Sequence, residues 1–267
     1  MRSSRGRNAA HPLDATAAGL ESADALRRRR RVVAATAVVG VGVLGASLST
    51  KPGSTRFYGL SGATALTWVV GGVAAGPLRR GWTTRRGSDD APRRPVLGPI
   101  LTGVGAFGAF YSAALVARRI PPLNRAIASV LRYADQGSGG LVLLTTLGNG
   151  VAEEVFFRGA LYAAAGPAPR RAAVATTGAY VLATTATRNP ALVLASVAMG
   201  ALFALQRRAT GGIQASVLTH VTWSALMLWF LPPLFRQRLR GDALGQMRGA
   251  AKAVIASSSR STSSSPT

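Results

Sequence analysis

Leu141-Val-Leu-Leu-Thr-Thr-Leu-Gly-Asn-Gly-Val-Ala-Glu153-Glu154-Val-Phe-Phe-Arg158-Gly-Ala-Leu-Tyr-Ala-Ala-Ala165 is the stretch on which the fold turns. As a helix rising about 1.5 Å per residue it is long enough to cross a bilayer core of roughly 30 Å. Its only charged residues are Glu153, Glu154 and Arg158. A carboxylate at the centre of a membrane helix costs at least about 2.5 kcal/mol, so such residues are paired or face a wet cavity, and they mark function.

Similar apolar runs lie on both sides of this one, at Val32–Leu48, Phe57–Leu78, Val96–Ala117, Ala172–Thr187, Pro190–Gln206 and Ile213–Leu234. Turn and charge signals separate them, among them Lys51-Pro52-Gly53, the Arg-rich loop Arg79–Pro95, Gly166-Pro167 and Arg188-Asn189-Pro190. The pattern predicts an all-α, polytopic membrane helix bundle with about seven to eight transmembrane helices. Pro121–Ala134 differs: Arg125 and Arg132 interrupt Leu123, Ile127, Val130 and Leu131, which reads as a helix lying at the membrane interface.

The chain has 267 residues and a formal net charge of +23, yet 48% of it is hydrophobic. Because the charges sit in clusters between apolar runs, they describe membrane boundaries and a lipid bilayer as partner, with no nucleic acid. The chain holds no cysteine and only two histidines, His11 and His220, which excludes disulfides, thiolate metal sites and sites built from several histidines. Residues 1–31 read as a disordered basic arm, 32–95 as two helices with an Arg-rich loop, 96–235 as the core and 236–267 as a disordered basic and Ser-rich tail. The run Arg27–Arg31 before the first apolar segment predicts a cytoplasmic arm, an uncleaved anchor and a multi-pass protein of the plasma membrane. Seven spans would then leave the basic carboxyl end outside, against the charge rule; a re-entrant segment or an eighth span would return it to the cytoplasm.

On an α-helix Glu154 and Arg158 are four residues apart and close enough for an ion pair, whereas Glu153 points about 100° away and gains no such partner. An unpaired acid in a low-dielectric site suits a general base that takes a proton from water. His220 lies in the last apolar segment with Ser224 one turn on, and the two can direct hydrogen bonds at one point, as an oxyanion site requires. A purely structural reading stands beside this one, with Glu153, Glu154 and Arg158 pinning helices together and His220 a packing residue. No GxSxG, HExxH or Walker pattern occurs, and the Gly137-Ser138-Gly139 stretch lacks the spacing of a rhomboid serine site.

Glu153-Glu154-Val-Phe-Phe-Arg158-Gly159 resembles the EExxxR motif of the CPBP family, the CAAX prenyl protease and bacteriocin-processing membrane proteins also called Abi. Arg207-Arg-Ala-Thr-Gly-Gly-Ile-Gln-Ala-Ser-Val-Leu-Thr-His220 is similar to that family's R-x-x-T-G loop leading into an HxxxN helix. Together the two motifs are far more specific than either alone, and the resemblance covers about residues 96–235. It implies a glutamate-dependent intramembrane endopeptidase acting on a peptide or lipidated-protein substrate. Glu153 would be the base, Glu154 and Arg158 would hold the site together and His220 would be an oxyanion donor. Two positions depart from the pattern. Tyr180-Val-Leu-Ala-Thr184 stands where the family has FxxxH, so Thr184, or Thr185 one position on, replaces the histidine, and Ser224 replaces the asparagine. These losses support the other reading, a catalytically inactive homologue that binds a membrane partner or serves as a scaffold. No cofactor is certain; a divalent metal stays open, although one His and two Glu make a poor zinc site.

Overall fold

The Ser22 hydroxyl accepts a hydrogen bond from the Ala25 amide at 3.2 Å, and with Asp24 in the first turn it caps the first helix, α1, Ala23–Ser47. Ser54 does the same for α2, Thr55–Ala74, accepting from Phe57 at 3.1 Å. This computed structural model describes residues 22–83 and 93–235; the expectations for the amino-terminal arm, for part of the Arg-rich loop and for the tail fall outside the described residues.

Six further helices follow: α3 Leu97–Ala117, α4 Pro121–Asp135, α5 Gly139–Ala164, α6 Pro169–Thr185, α7 Pro190–Thr210 and α8 Gln214–Phe235. Proline opens α4, α6 and α7, where its missing N–H costs nothing. Gly211 closes α7 in the left-handed region at φ 71°. The described residues contain no strand beyond an isolated bridge between Thr83 and Arg93.

Helices α1, α2, α3, α5, α7 and α8 are long and apolar enough to cross a membrane. That is fewer than the seven to eight expected, and the difference is α6. It has 17 residues and begins with Arg170 and Arg171, so its apolar run is too short by itself. Helix α4 is not among these six, and it is amphipathic, burying Ala126 and Leu131 while Arg125 and Arg132 stay exposed.

The core is built where large rings meet small residues. Trp68 of α2 packs at a tilt against Phe156 and Phe157 of α5 with centroids 4.6 and 5.3 Å apart, and Val33 and Ala183 belong to the same cluster. A Cβ at Gly40 would collide with the Trp68 ring, and one at Gly71 with Thr36, so α1 and α2 touch along glycines. The outward faces carry Val38, Leu66, Val174, Leu182 and Trp229, each more than 60% exposed, a surface that requires lipid. Apolar outward faces and six membrane-length helices describe a multi-pass membrane protein.

Long-range bonds sort the helix ends into two sets. At one end Arg29 reaches the Ala75 carbonyl, Arg30 the Ala164 carbonyl, and the Ile213 and Gln214 amides donate to Arg79 and Arg80. At the other, the Tyr133 hydroxyl is shared between the Leu48 and Thr50 carbonyls, and Asn189 donates to Ala126. Leu231 and Phe235 pack there with Ala114 and Leu131, so α8 finishes opposite the start of α1.

Candidate functional site

The two glutamates sit where α5 changes its winding. Glu154–Leu161 forms a π-helix, and seven consecutive residues from Glu154 to Ala160 are buried. A regular α-helix with one lipid face could not bury seven in a row; here α1, α2, α6 and α7 surround the stretch. Arg207 of α7 serves a backbone carbonyl within it, donating from Nε to the Arg158 oxygen at 2.8 Å, while its guanidinium lies 4.7 Å from the Tyr162 ring centroid.

Glu154 and Arg158 are paired as the spacing predicts, Nη1 to Oε1 at 3.1 Å, and both side chains are 0% exposed. The guanidinium also donates to the Gly200 carbonyl at 3.2 Å and lies over the Tyr180 ring at 4.6 Å and Phe203 at 5.1 Å. Nothing in water's reach shields this cation, so the carboxylate and the aromatic faces carry its stabilisation.

His220 joins the same oxygen. Its Nδ1 lies 3.2 Å from Glu154 Oε1, and the ring stacks on Phe203 with centroids 4.7 Å apart. A Cβ at Gly150 would stand 3.4 Å from His220 Nε2, so this glycine lets the imidazole lie against α5 one turn before the glutamates. Nδ1 of His220 thus shares Glu154 Oε1 with Arg158, and Nε2 is the ring nitrogen that lies against Gly150.

Glu153 is not unpaired, contrary to the expectation from helix spacing. The Tyr180 hydroxyl donates to its Oε2 at 2.8 Å across the α5–α6 interface, and His220 is within electrostatic reach. The partner came from a neighbouring helix, which spacing along α5 does not register. Tyr180 thus touches both acids' surroundings, its hydroxyl on Glu153 and its ring under Arg158. The available signal was the Tyr in place of Phe at the head of the FxxxH frame.

The remaining expected residues divide. Thr184 spends its hydroxyl hydrogen on the Tyr180 carbonyl at 2.8 Å, and Thr185 likewise bonds Leu182 at 2.6 Å, so neither hydroxyl is given to Glu153. Ser224 is buried on the face of α8 that carries His220, with no hydrogen bond to either glutamate among the described residues. Among the described residues no three His, Cys, Asp or Glu side chains gather as a metal would require.

The acids on α5, the tyrosine on α6, the arginine at the end of α7 and the histidine on α8 therefore converge on one buried cluster. Residues 136–226 match the family described as type II CAAX prenyl endopeptidase, Rce1-like. This CAAX-protease-like segment lies within the residues 96–235 that carried the resemblance, and it includes every site residue from Glu153 to Ser224. It takes in α5, α6, α7 and the first half of α8, whereas α1, α2, α3 and α4 precede it. No curated protein and no solved structure matches the chain.

Proposed function

We propose that this CAAX-protease-like membrane protein is an intramembrane endopeptidase that cleaves a membrane-associated peptide with a glutamate-activated water. The observation that carries the reading is the division of labour between adjacent acids. Glu154 is neutralised by Arg158 and held by His220, while Glu153 keeps a carboxylate oxygen on a single neutral donor, the Tyr180 hydroxyl. A carboxylate without a cationic partner retains the basicity that a paired one loses. In this reading Glu153 takes a proton from water as the water oxygen bonds to the peptide carbonyl carbon. The same acid then returns the proton to the amide nitrogen as the carbon–nitrogen bond breaks. Tyr180 takes the positioning task that the missing histidine performs in the family, and His220, with Ser224 one turn on along the same face of α8, faces the oxyanion.

A second reading is favoured by the fate of Thr184: a hydroxyl bound to its own helix cannot replace an imidazole, and a homologue that binds apolar peptides without cleaving them would tolerate that loss. One assay separates the two. Purified protein in detergent is incubated with a prenylated CAAX-type peptide and with an unprenylated apolar peptide of the same length. Cleavage by the wild type, lost by more than about a hundred-fold in Glu153→Gln at unchanged thermal stability, supports the endopeptidase. Peptide binding without cleavage, equal in both proteins, supports the binding homologue.

We also place the end that carries Arg27–Arg31 in the cytoplasm of a plasma-membrane protein. Among the described residues that end holds thirteen basic residues, Arg27 to Arg31, Arg79, Arg80, Arg93, Arg94, Arg170, Arg171, Arg207 and Arg208. The opposite end holds seven, Lys51, Arg56, Arg118, Arg119, Arg125, Arg132 and Arg188, and the excess sets orientation.

A further inference from the structure

The basic end contains a cavity of about 550 Å³ that lies apart from the glutamate cluster. Arg79, Arg80, Arg94, Trp82, Leu78 and Gly211 line it, and among the described residues no acidic side chain does. Its backbone is held on three sides. The Trp82 amide donates to the Thr210 carbonyl at 2.8 Å, the Ile213 and Gln214 amides to the Arg79 and Arg80 carbonyls at 2.9 and 3.0 Å, and Thr83 pairs with Arg93. Gly81 and Gly212 touch backbone to backbone, so the segment is pressed onto the turn between α7 and α8.

The cations on this frame are partly preorganised. Arg94 stacks over Trp82 at 3.6 Å and donates one of its five N–H groups to the Gly81 carbonyl at 3.0 Å. The Arg80 side chain is exposed and makes no hydrogen bond or ion pair among the described residues. Trp82 itself is 47% exposed beside the cations, the position of an indole in a membrane-interface belt. The lining is continuous in sequence with lipid-facing side chains, Val73 on α2 at 58% exposure and Leu97 on α3 at 68%. Guanidinium groups at headgroup depth, with apolar side chains a turn further into the membrane, match a molecule that has a phosphate at one end and acyl chains at the other.

We propose that this cavity binds the phosphate of an anionic phospholipid headgroup, with Arg80 and Arg94 as its main contacts and the acyl chains along Val73 and Leu97. A lipid is favoured over a free anion because the apolar continuation would contribute nothing to inorganic phosphate.

The test is native mass spectrometry of the detergent-purified full chain, titrated with phosphatidylglycerol and with phosphatidylcholine of identical acyl chains. The wild type is expected to retain phosphatidylglycerol at roughly ten- to thirty-fold lower concentration than phosphatidylcholine. Arg80→Ala/Arg94→Ala should abolish that preference. Arg28→Ala/Arg31→Ala removes the same charge from exposed positions at the same end and should keep it. Equal loss in the two double variants would mean diffuse attraction to the basic end and would overturn the site, as would a wild type without preference. Displacement of the lipid by millimolar inorganic phosphate would reassign the cavity to small anions and overturn the lipid.

Discussion

Arg158 is the residue whose removal separates structure from chemistry. It is fully buried, and its loss would leave Glu154 as an unpaired charge shared only with His220. Arg158→Ala is expected to cost roughly 3 to 5 kcal/mol and to lower the thermal midpoint in detergent markedly. Tyr180→Phe should behave in the opposite way, because the ring under Arg158 stays and only the hydroxyl on Glu153 goes. The fold then survives, while turnover of a cleavable peptide falls by about ten- to a hundred-fold, the value of a hydrogen bond to a charged group. If both variants lost stability equally, Tyr180 would be a packing residue and its bond to Glu153 incidental. The Glu154–Arg158 pair was legible because both partners lie on one helix at a fixed spacing. The Tyr180–Glu153 bond joins residues 27 apart on different helices, and no rule of helix periodicity brings them together.

At the scale of elements, the apolar runs and the turn residues between them identified eight helices because membrane helices must satisfy their own backbone and therefore announce their length. The amphipathic α4 was equally readable from its charge periodicity. The π-helix from Glu154 to Leu161 was not, since its wider winding answers to the helices packed around it and leaves no mark on hydropathy. Contacts between α1 and α2 give an element-scale prediction from two glycines on one helix. Gly40 has no room for a methyl group beneath Trp68, whereas nothing lies within 4 Å of the Cβ position at Gly42. Gly→Ala in a helix gains up to about 1 kcal/mol from lower chain entropy, but overpacking costs about 1 to 3 kcal/mol. Gly42→Ala should therefore raise the thermal midpoint and Gly40→Ala lower it, and the reverse order would refute the glycine contact with Trp68.

For the whole molecule, the direction of the chain through the membrane follows from which helix ends meet. Charge counting along the sequence meets a conflict, with seven spans separating two basic ends, and offers a re-entrant segment or an eighth span as an escape. In the folded chain the short helix α6 completes the alternation even though it is too short to be recognised as a span, and α8 ends opposite the start of α1. The absence of cysteine makes this arrangement directly measurable, since any introduced thiol is the only one. Ser22→Cys and Thr83→Cys mark the basic end, and Ser49→Cys and Ser138→Cys mark the opposite one; all four positions are exposed. A membrane-impermeant maleimide applied to intact cells should label positions 49 and 138, and should reach 22 and 83 only after permeabilisation. The fully reversed pattern would invert the orientation and leave the bundle intact, because the pairing of ends is unchanged. Labelling that divided 22 from 83 would contradict the bundle itself, since the Arg29 bond to Ala75 holds the start of α1 against the end of α2, only a few residues from Thr83.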